Sequence, residues 1–255
     1  MFNVLLLIVL VYHPGSEVAV AAKPYIRRTT CTLAAALLWT ATTLAQATSS
    51  VPHTHIGHIM TSWADTPGMK GFLPTAIADA QVAMEEVERA DLEGRINDFW
   101  LYGGYVLNAL DPGAETSALL KTTYARLPMN YIKIEVPGTG YGIKRAVAGA
   151  LEHVRLAANS DGASENVKTH AAHVIASLEN VAKWTDQAIA TVRKLLDARD
   201  VGGGQVLVDE LTAQIGQIAI GTDANGDGQT GWQTGEGGLR QANTHMRLMM
   251  KGEGL

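Results

Sequence analysis

The most constraining feature of this sequence is an apolar stripe at helical spacing that continues from about Ser164 to Asp200. The stripe consists of Val167, Ala171, Val174, Leu178, Val181, Ile189, Val192 and Leu196. Residues three or four apart share one face of a helix, so the pattern predicts one long helix with Ser164 as its N-cap. At 1.5 Å per residue such a helix is ~50 Å long, enough to form the spine of a bundle.

Other segments show the same helical period. The predicted helices run from about His55 to Trp63, Pro74 to Ala90, Ile96 to Leu110 and Ile143 to Ala158, with one more on each side of a polar run near residue 225. The triplet Gly202–Gly204 is expected to break the chain after the long helix, because glycine is costly inside a helix. No segment alternates convincingly with the period of two that strands require. We therefore expect an all-α bundle of four to five main helices.

The first part of the chain has the pattern of an export signal. Arg27 and Arg28 precede an apolar run from Leu33 to Leu44, and Ala45-Gln46-Ala47 then provides a cleavage site with small residues. We expect residues 1–47, a signal peptide with an upstream extension, to be removed. The mature protein would then be periplasmic or secreted, with a helical bundle over 48–200 and a helix-loop-helix over 201–255. The alternative is a two-helix membrane anchor formed by this run and an earlier apolar run from Val4 to Val11. A bilayer span needs about 18 apolar residues, which neither run clearly reaches, so no stable membrane span is expected after cleavage.

Composition argues against several classes of function. The formal net charge of −5 comes with scattered Lys and Arg, whereas nucleic-acid binding needs a clustered basic face. The one cysteine, Cys31, falls in the predicted signal peptide, which leaves no thiol for catalysis or metal binding. The chain contains no G-x-S-x-G or H-E-x-x-H motif, and the lack of C-x-x-C-H excludes covalent c-type haem. These features favour a non-enzymatic protein.

A polar run from Asp223 to Gln229 lies between the last two predicted helices. Asp223, Asn225 and Asp227 occupy alternate positions, and Gly228 follows where the chain must turn sharply. Calcium prefers several oxygen ligands, which short acidic and amide side chains at this spacing provide. The alternative is a plain polar turn, since Asn-Gly and Asp-Gly are strong turn formers.

The run resembles the calcium loop of an EF-hand, and the resemblance covers about residues 205–250. It implies that Asp223, Asn225 and Asp227 take loop positions one, three and five, and that the Gln229 carbonyl takes position seven. Thr234 stands at position twelve, where an EF-hand has a bidentate glutamate. Glu236, two residues further, would reach the ion if the exit of the loop were distorted. The resemblance therefore implies weak calcium binding.

Histidines provide a second candidate site. His55 and His58 are three residues apart, as are His170 and His173, and residues three apart on a helix share a face. Each pair is able to hold one metal ion, and together the four histidines would bind copper or zinc. His153 and His245 lie on two further helices, and a third hypothesis places a non-covalent haem between His245 and another helix. The alternative is that these are ordinary surface histidines.

Overall fold

The structure is a computed structural model that describes residues 50–131 and 136–255. The predicted signal peptide and its upstream extension lie outside the described residues. Eight α-helices are present in the described ranges: α1 (Val51–Met60), α2 (Phe72–Glu93), α3 (Ile96–Leu110), α4 (Ala114–Tyr124), α5 (Ile143–Asn159), α6 (Glu165–Asp197), α7 (Val201–Ile220) and α8 (Leu239–Glu253). Two single-turn 3₁₀ segments, Pro67–Met69 and Met129–Tyr131, lie in the connections.

The predicted all-α fold is confirmed, but four to five helices was too low a number. The short helix α4 was not predicted, because only Thr116, Leu120 and Thr123 of its eleven residues are buried. Such a narrow contact leaves almost no apolar period for a sequence pattern to detect.

Helix α6 is the spine of the bundle, as its apolar stripe predicts. It packs against α3, α5, α7 and α8. Ser164 caps its first turn by accepting a hydrogen bond from the Val167 amide at 3.1 Å. Leu178, Leu195 and Leu196 are fully buried along its length. The long stripe therefore joins most of the other helices in one core.

The break after α6 falls earlier than the glycine triplet, which corrects the prediction. Helix α6 ends at Asp197, and Gly202–Gly204 form part of the first turn of α7. Asp200 is the N-cap of α7 and accepts a hydrogen bond from the Gly203 amide at 2.8 Å. A Cβ atom at Gly204 would lie 2.5 Å from the ring of Phe99. Gly204 therefore serves the close approach of α3 to α7.

Two helix pairs in this bundle each bring together histidines from distant parts of the sequence. Helix α1 packs against α5, and α8 packs against α6. In the described ranges, no helix is both long and apolar enough to cross a bilayer.

The central role of α6 can be tested with a matched pair of Leu→Ala changes. Leu178→Ala removes a fully buried side chain of α6 and should lower the free energy of unfolding by about 2–5 kcal/mol. Leu156→Ala on α5 removes a side chain that is 42% exposed and should cost less than about 1 kcal/mol. Urea unfolding of both variants measures the difference. Equal losses would contradict the assignment of α6 as the spine.

Candidate metal centres

The first candidate site, triad 1, joins two helices through three imidazoles. His55 and His58 of α1 face His153 of α5. The Nδ1 atom of His153 lies 2.8 Å from Nδ1 of His55 and 3.3 Å from Nδ1 of His58. His153 is buried, whereas the other two side chains are partly exposed. The three ligand atoms thus lie within 4.8 Å of one another, between one buried and two partly exposed side chains.

The second candidate site, triad 2, repeats this arrangement on another pair of helices. His170 and His173 of α6 face His245 of α8. The Nδ1 atom of His245 lies 3.2 Å from Nδ1 of His170 and 3.3 Å from Nδ1 of His173. All three side chains are partly buried. In both triads one helix provides an H-x-x-H pair and another helix provides a single histidine, His153 or His245. We call this single histidine the hub, because its Nδ1 atom lies within 3.3 Å of both histidines of the pair.

Three of these four distances, those of 3.2–3.3 Å, match the geometry of a bound metal ion, and the 2.8 Å between His55 and His153 is shorter. Zinc binds histidine nitrogens at about 2.0–2.1 Å in a tetrahedral arrangement, which separates neighbouring ligand atoms by about 3.3 Å. A neutral imidazole has one N–H and one lone pair, so three converging Nδ1 atoms cannot all pair with one another. Among the described residues, both clusters of possible ligands consist of histidine alone. Each triad is therefore suited to a cation that accepts nitrogen lone pairs.

The two triads share a sequence repeat in two parts. Thr-His-x-x-His begins at Thr54 in α1 and again at Thr169 in α6. Ala-x-x-His-x-Arg-Leu begins at Ala150 in α5 and again at Ala242 in α8. Each triad takes its H-x-x-H pair from the first part and its hub from the second.

The repeat explains how each helix positions its histidines. The residue after each histidine of the pairs is fully buried; these residues are Ile56, Ile59, Ala171 and Val174. The residue after each hub is fully buried too, Val154 in α5 and Met246 in α8. Successive helical residues differ by about 100° in direction, so burying one of them holds its histidine neighbour at the boundary of the core. The apolar anchors therefore aim the imidazoles across the helix interface.

Aromatic rings form a wall beside each triad. In triad 1 the Trp63 ring lies 4.7 Å from His58 and 4.9 Å from His153, and Phe72 stacks on His153 at 5.4 Å. In triad 2 the Trp232 ring stacks on His173 at 3.9 Å. Such walls fix the orientation of the imidazoles and keep water from part of the site, which strengthens electrostatic interactions there.

The electrostatics of both triads disfavour protonated imidazoles. Burial, and secondarily the neighbouring imidazoles, lowers the pKa of His153 in triad 1. The same causes in triad 2 lower the pKa of His245 to about 4. The pKa values of His58 and His173 are also lowered, again by burial first and then by the paired histidine. Metal ligation requires neutral imidazole, so the lowered pKa values of these four histidines favour the form that binds metal.

The structure places all four predicted histidine ligands in these clusters, but it divides them between two. His55 and His58 belong to triad 1, and His170 and His173 belong to triad 2. The hubs were not predicted as ligands with these pairs, since spacing on one helix says nothing of a partner on another. The signal that would have identified them is the repeated Ala-x-x-His-x-Arg-Leu, which occurs once for each H-x-x-H pair.

The predicted calcium ligands lie in the connection between α7 and α8. Asp223, Asn225, Asp227 and Gln229 are exposed, and the loop is closed by hydrogen bonds to its own amides. Asp223 accepts from the amides of Gly226 and Gly228, each at 2.8 Å. The Asn225 and Asp227 side chains accept in the same manner from amides two residues ahead. These contacts fit a calcium loop and a plain polar turn equally, so calcium binding stays a prediction.

The exit of this loop is attached to the core near triad 2. Thr234 is exposed, whereas Glu236 is 4% exposed and accepts a hydrogen bond from the Gly231 amide at 3.0 Å. Asn180 of α6 donates to the carbonyls of Gln233 and Gly237 and accepts from the Gly235 amide. This anchor holds the segment that carries Trp232 against α6.

Comparison with known proteins does not assign a function to these histidine clusters. The chain matches no known protein family, no curated protein and no solved structure.

The lowered pKa of His245 predicts how stability depends on pH in the metal-free protein. The unfolded chain takes up a proton at this histidine near pH 6.5, whereas the folded chain resists protonation until about pH 4. The free energy of unfolding should therefore fall as the pH is lowered from 6.5 to 4, and His245→Asn should reduce that fall. Denaturant unfolding in the presence of a chelator measures it, with the exposed Thr244→Asn as the control. A pH dependence that is unchanged in His245→Asn would contradict the assigned burial.

Proposed function

We propose that this protein is an exported, non-enzymatic binder of transition-metal ions, with one copper or zinc ion in each triad. The observation that carries the proposal is the convergence of three Nδ1 atoms, which occurs twice with nearly the same distances. A chance cluster of surface histidines would not recur with the same spacing, the same hub and the same buried neighbours.

The donor set defines the class of metal. Imidazole nitrogen suits zinc, copper, iron and nickel, whereas calcium and magnesium prefer oxygen. Neither cluster includes a carboxylate among the described residues. Within the divalent series copper binds nitrogen sites most tightly, and zinc fits the tetrahedral distances without strain. Copper and zinc are therefore the ions that we propose for the two triads.

The presence of only three protein ligands in each triad, with at least two of them partly exposed, supports reversible binding. Structural zinc sites are closed by four protein ligands, whereas three ligands leave one position for water or for a donor from another molecule. The rings of Trp63, Phe72 and Trp232 lie against the imidazoles, and an aromatic ring offers no general base for hydrolysis. A carrier that receives and releases its ion needs such an open position. Haem is less well supported, because His245 faces His170 and His173 within 3.3 Å.

The stoichiometry of zinc binding tests the proposal. The parent protein should bind two equivalents of zinc by isothermal titration calorimetry, one for each triad. His153→Asn and His245→Asn should each lose one equivalent, because two imidazoles on one helix hold the ion far less well than three. His53→Asn provides a matched control, since His53 lies on α1 outside the triads and both equivalents should remain. Absence of zinc binding in the parent protein would contradict the proposed function.

A second candidate function is calcium binding at the connection between α7 and α8. The observation that favours it is the buried carboxylate of Glu236 at the exit of the loop. An EF-hand-like site lacks its bidentate glutamate at Thr234, and Glu236 would supply it if the segment 231–235 were rearranged. Because this segment carries Trp232, calcium would also order the wall of triad 2.

A thermal melt tests the calcium site. The expected dissociation constant is on the order of 10⁻⁴–10⁻³ M, and calcium at ten times that value should add about 1.4 kcal/mol of stability. Asp227→Asn should abolish the calcium-dependent shift and leave the calcium-free melt unchanged, because asparagine still accepts from the Gln229 amide. Asp209→Asn, an exposed change on α7, should retain the shift. A parent that melts identically in millimolar calcium and in chelator would establish a plain turn.

A further inference from the structure

Glu253 lies at the end of α8, eight residues beyond the hub of triad 2. Its side chain is only 12% exposed, and both of its carboxylate oxygens are engaged by other helices. A largely desolvated carboxylate at a helix C-terminus is costly unless hydrogen bonds stabilise its charge. The groups within hydrogen-bonding distance of Glu253 therefore stabilise its charge and fix its position.

One oxygen of this carboxylate holds the start of α6. Asn166 donates its Nδ2 to Oε1 at 2.8 Å, and the Ser164 hydroxyl donates to the same atom. Asn166 also donates to the Met249 carbonyl at 3.0 Å. A Cβ atom at Gly252 would lie 2.5 Å from the Asn166 side chain, so glycine permits this close approach. The contact lies about one to two turns before the H-x-x-H pair of triad 2.

The other oxygen holds the start of α1. His53 Nε2 lies 3.0 Å from Glu253 Oε2, and His53 precedes the first ligand of triad 1 by two residues. One carboxylate thus joins three of the four helices that carry the triads, α1, α6 and α8. We name the group formed by His53, Ser164, Asn166 and Glu253 the carboxylate clamp.

We propose that Glu253 is a positioning residue through which metal binding at one triad raises the affinity of the other. This inference rests on the proposed metal binding. An ion in triad 2 fixes α8 against α6 and so fixes the carboxylate at the start of α6. The fixed carboxylate then holds His53, which orders α1 and the first two ligands of triad 1. The second ion meets an already ordered site and loses less conformational entropy on binding.

The coupling is measurable from zinc affinities alone. His245→Asn leaves triad 1 as the single site, and His153→Asn leaves triad 2. The product of the two association constants of the parent should exceed the product of these single-site constants by about 5-fold or more, a common size for coupled sites. Because coupling between sites is reciprocal, this factor does not depend on which triad fills first.

Glu253→Gln should reduce the factor to about one, because the amide no longer offers His53 a charged acceptor. The chain should still fold, since the remaining oxygen accepts from Ser164 and Asn166, and its melting temperature checks this. His53→Ala removes only the link to α1 and should abolish coupling with the affinity of triad 2 unchanged. Glu88→Gln, an exposed change on α2, is the matched control and should retain the full factor, since α2 carries no ligand of either triad.

The outcomes separate this inference from the proposed function. Two independent zinc sites in the parent would overturn the coupling and leave the metal-binding function in place. A coupling factor that survives in both Glu253→Gln and His53→Ala would show that the clamp is not its route. No zinc at either triad would remove the function and the coupling together.

Discussion

Both triads depend on fully buried apolar neighbours that hold imidazole nitrogens close together across helix interfaces. Three Nδ1 atoms that face one another without a carboxylate gain little from hydrogen bonding and repel one another when protonated. Burial adds to this cost, as the lowered pKa values of His153 and His245 indicate. A divalent cation would reverse the balance, because it would take a lone pair from each of the three rings. The same cation would join α1 to α5 or α6 to α8, so metal affinity and helix packing reinforce each other.

The doubled arrangement suggests how the chain is organised. Helices α1 and α5 carry one copy of the Thr-His-x-x-His and Ala-x-x-His-x-Arg-Leu motifs, and α6 and α8 carry the other. The copies differ around the ligands: Phe72 stacks on the hub of triad 1, whereas Trp232 of an irregular connection covers triad 2. The two triads therefore share their arrangement of histidines and differ in the aromatic rings that surround them.

The sequence predicted those properties that depend on residues close together in the chain. The stripe of α6 and the Ser164 cap were predictable, because helix period and capping are local. That each H-x-x-H pair shares one helix face was predictable for the same reason. The division of the pairs between two clusters was not, because the hubs His153 and His245 lie 98 and 75 residues away from the first histidine of each pair. The start of α7 was misjudged because Gly204 is a tertiary requirement, set by the ring of Phe99.

The most direct test of the account is to locate the metal itself. Anomalous diffraction from crystals of the zinc-loaded protein should give one peak at each triad, about 2.0–2.1 Å from the three Nδ1 atoms, with a water molecule or another exogenous donor at the fourth position. Peaks at other surface histidines with both triads empty would contradict the account. So would one shared ion bound by His55, His58, His170 and His173.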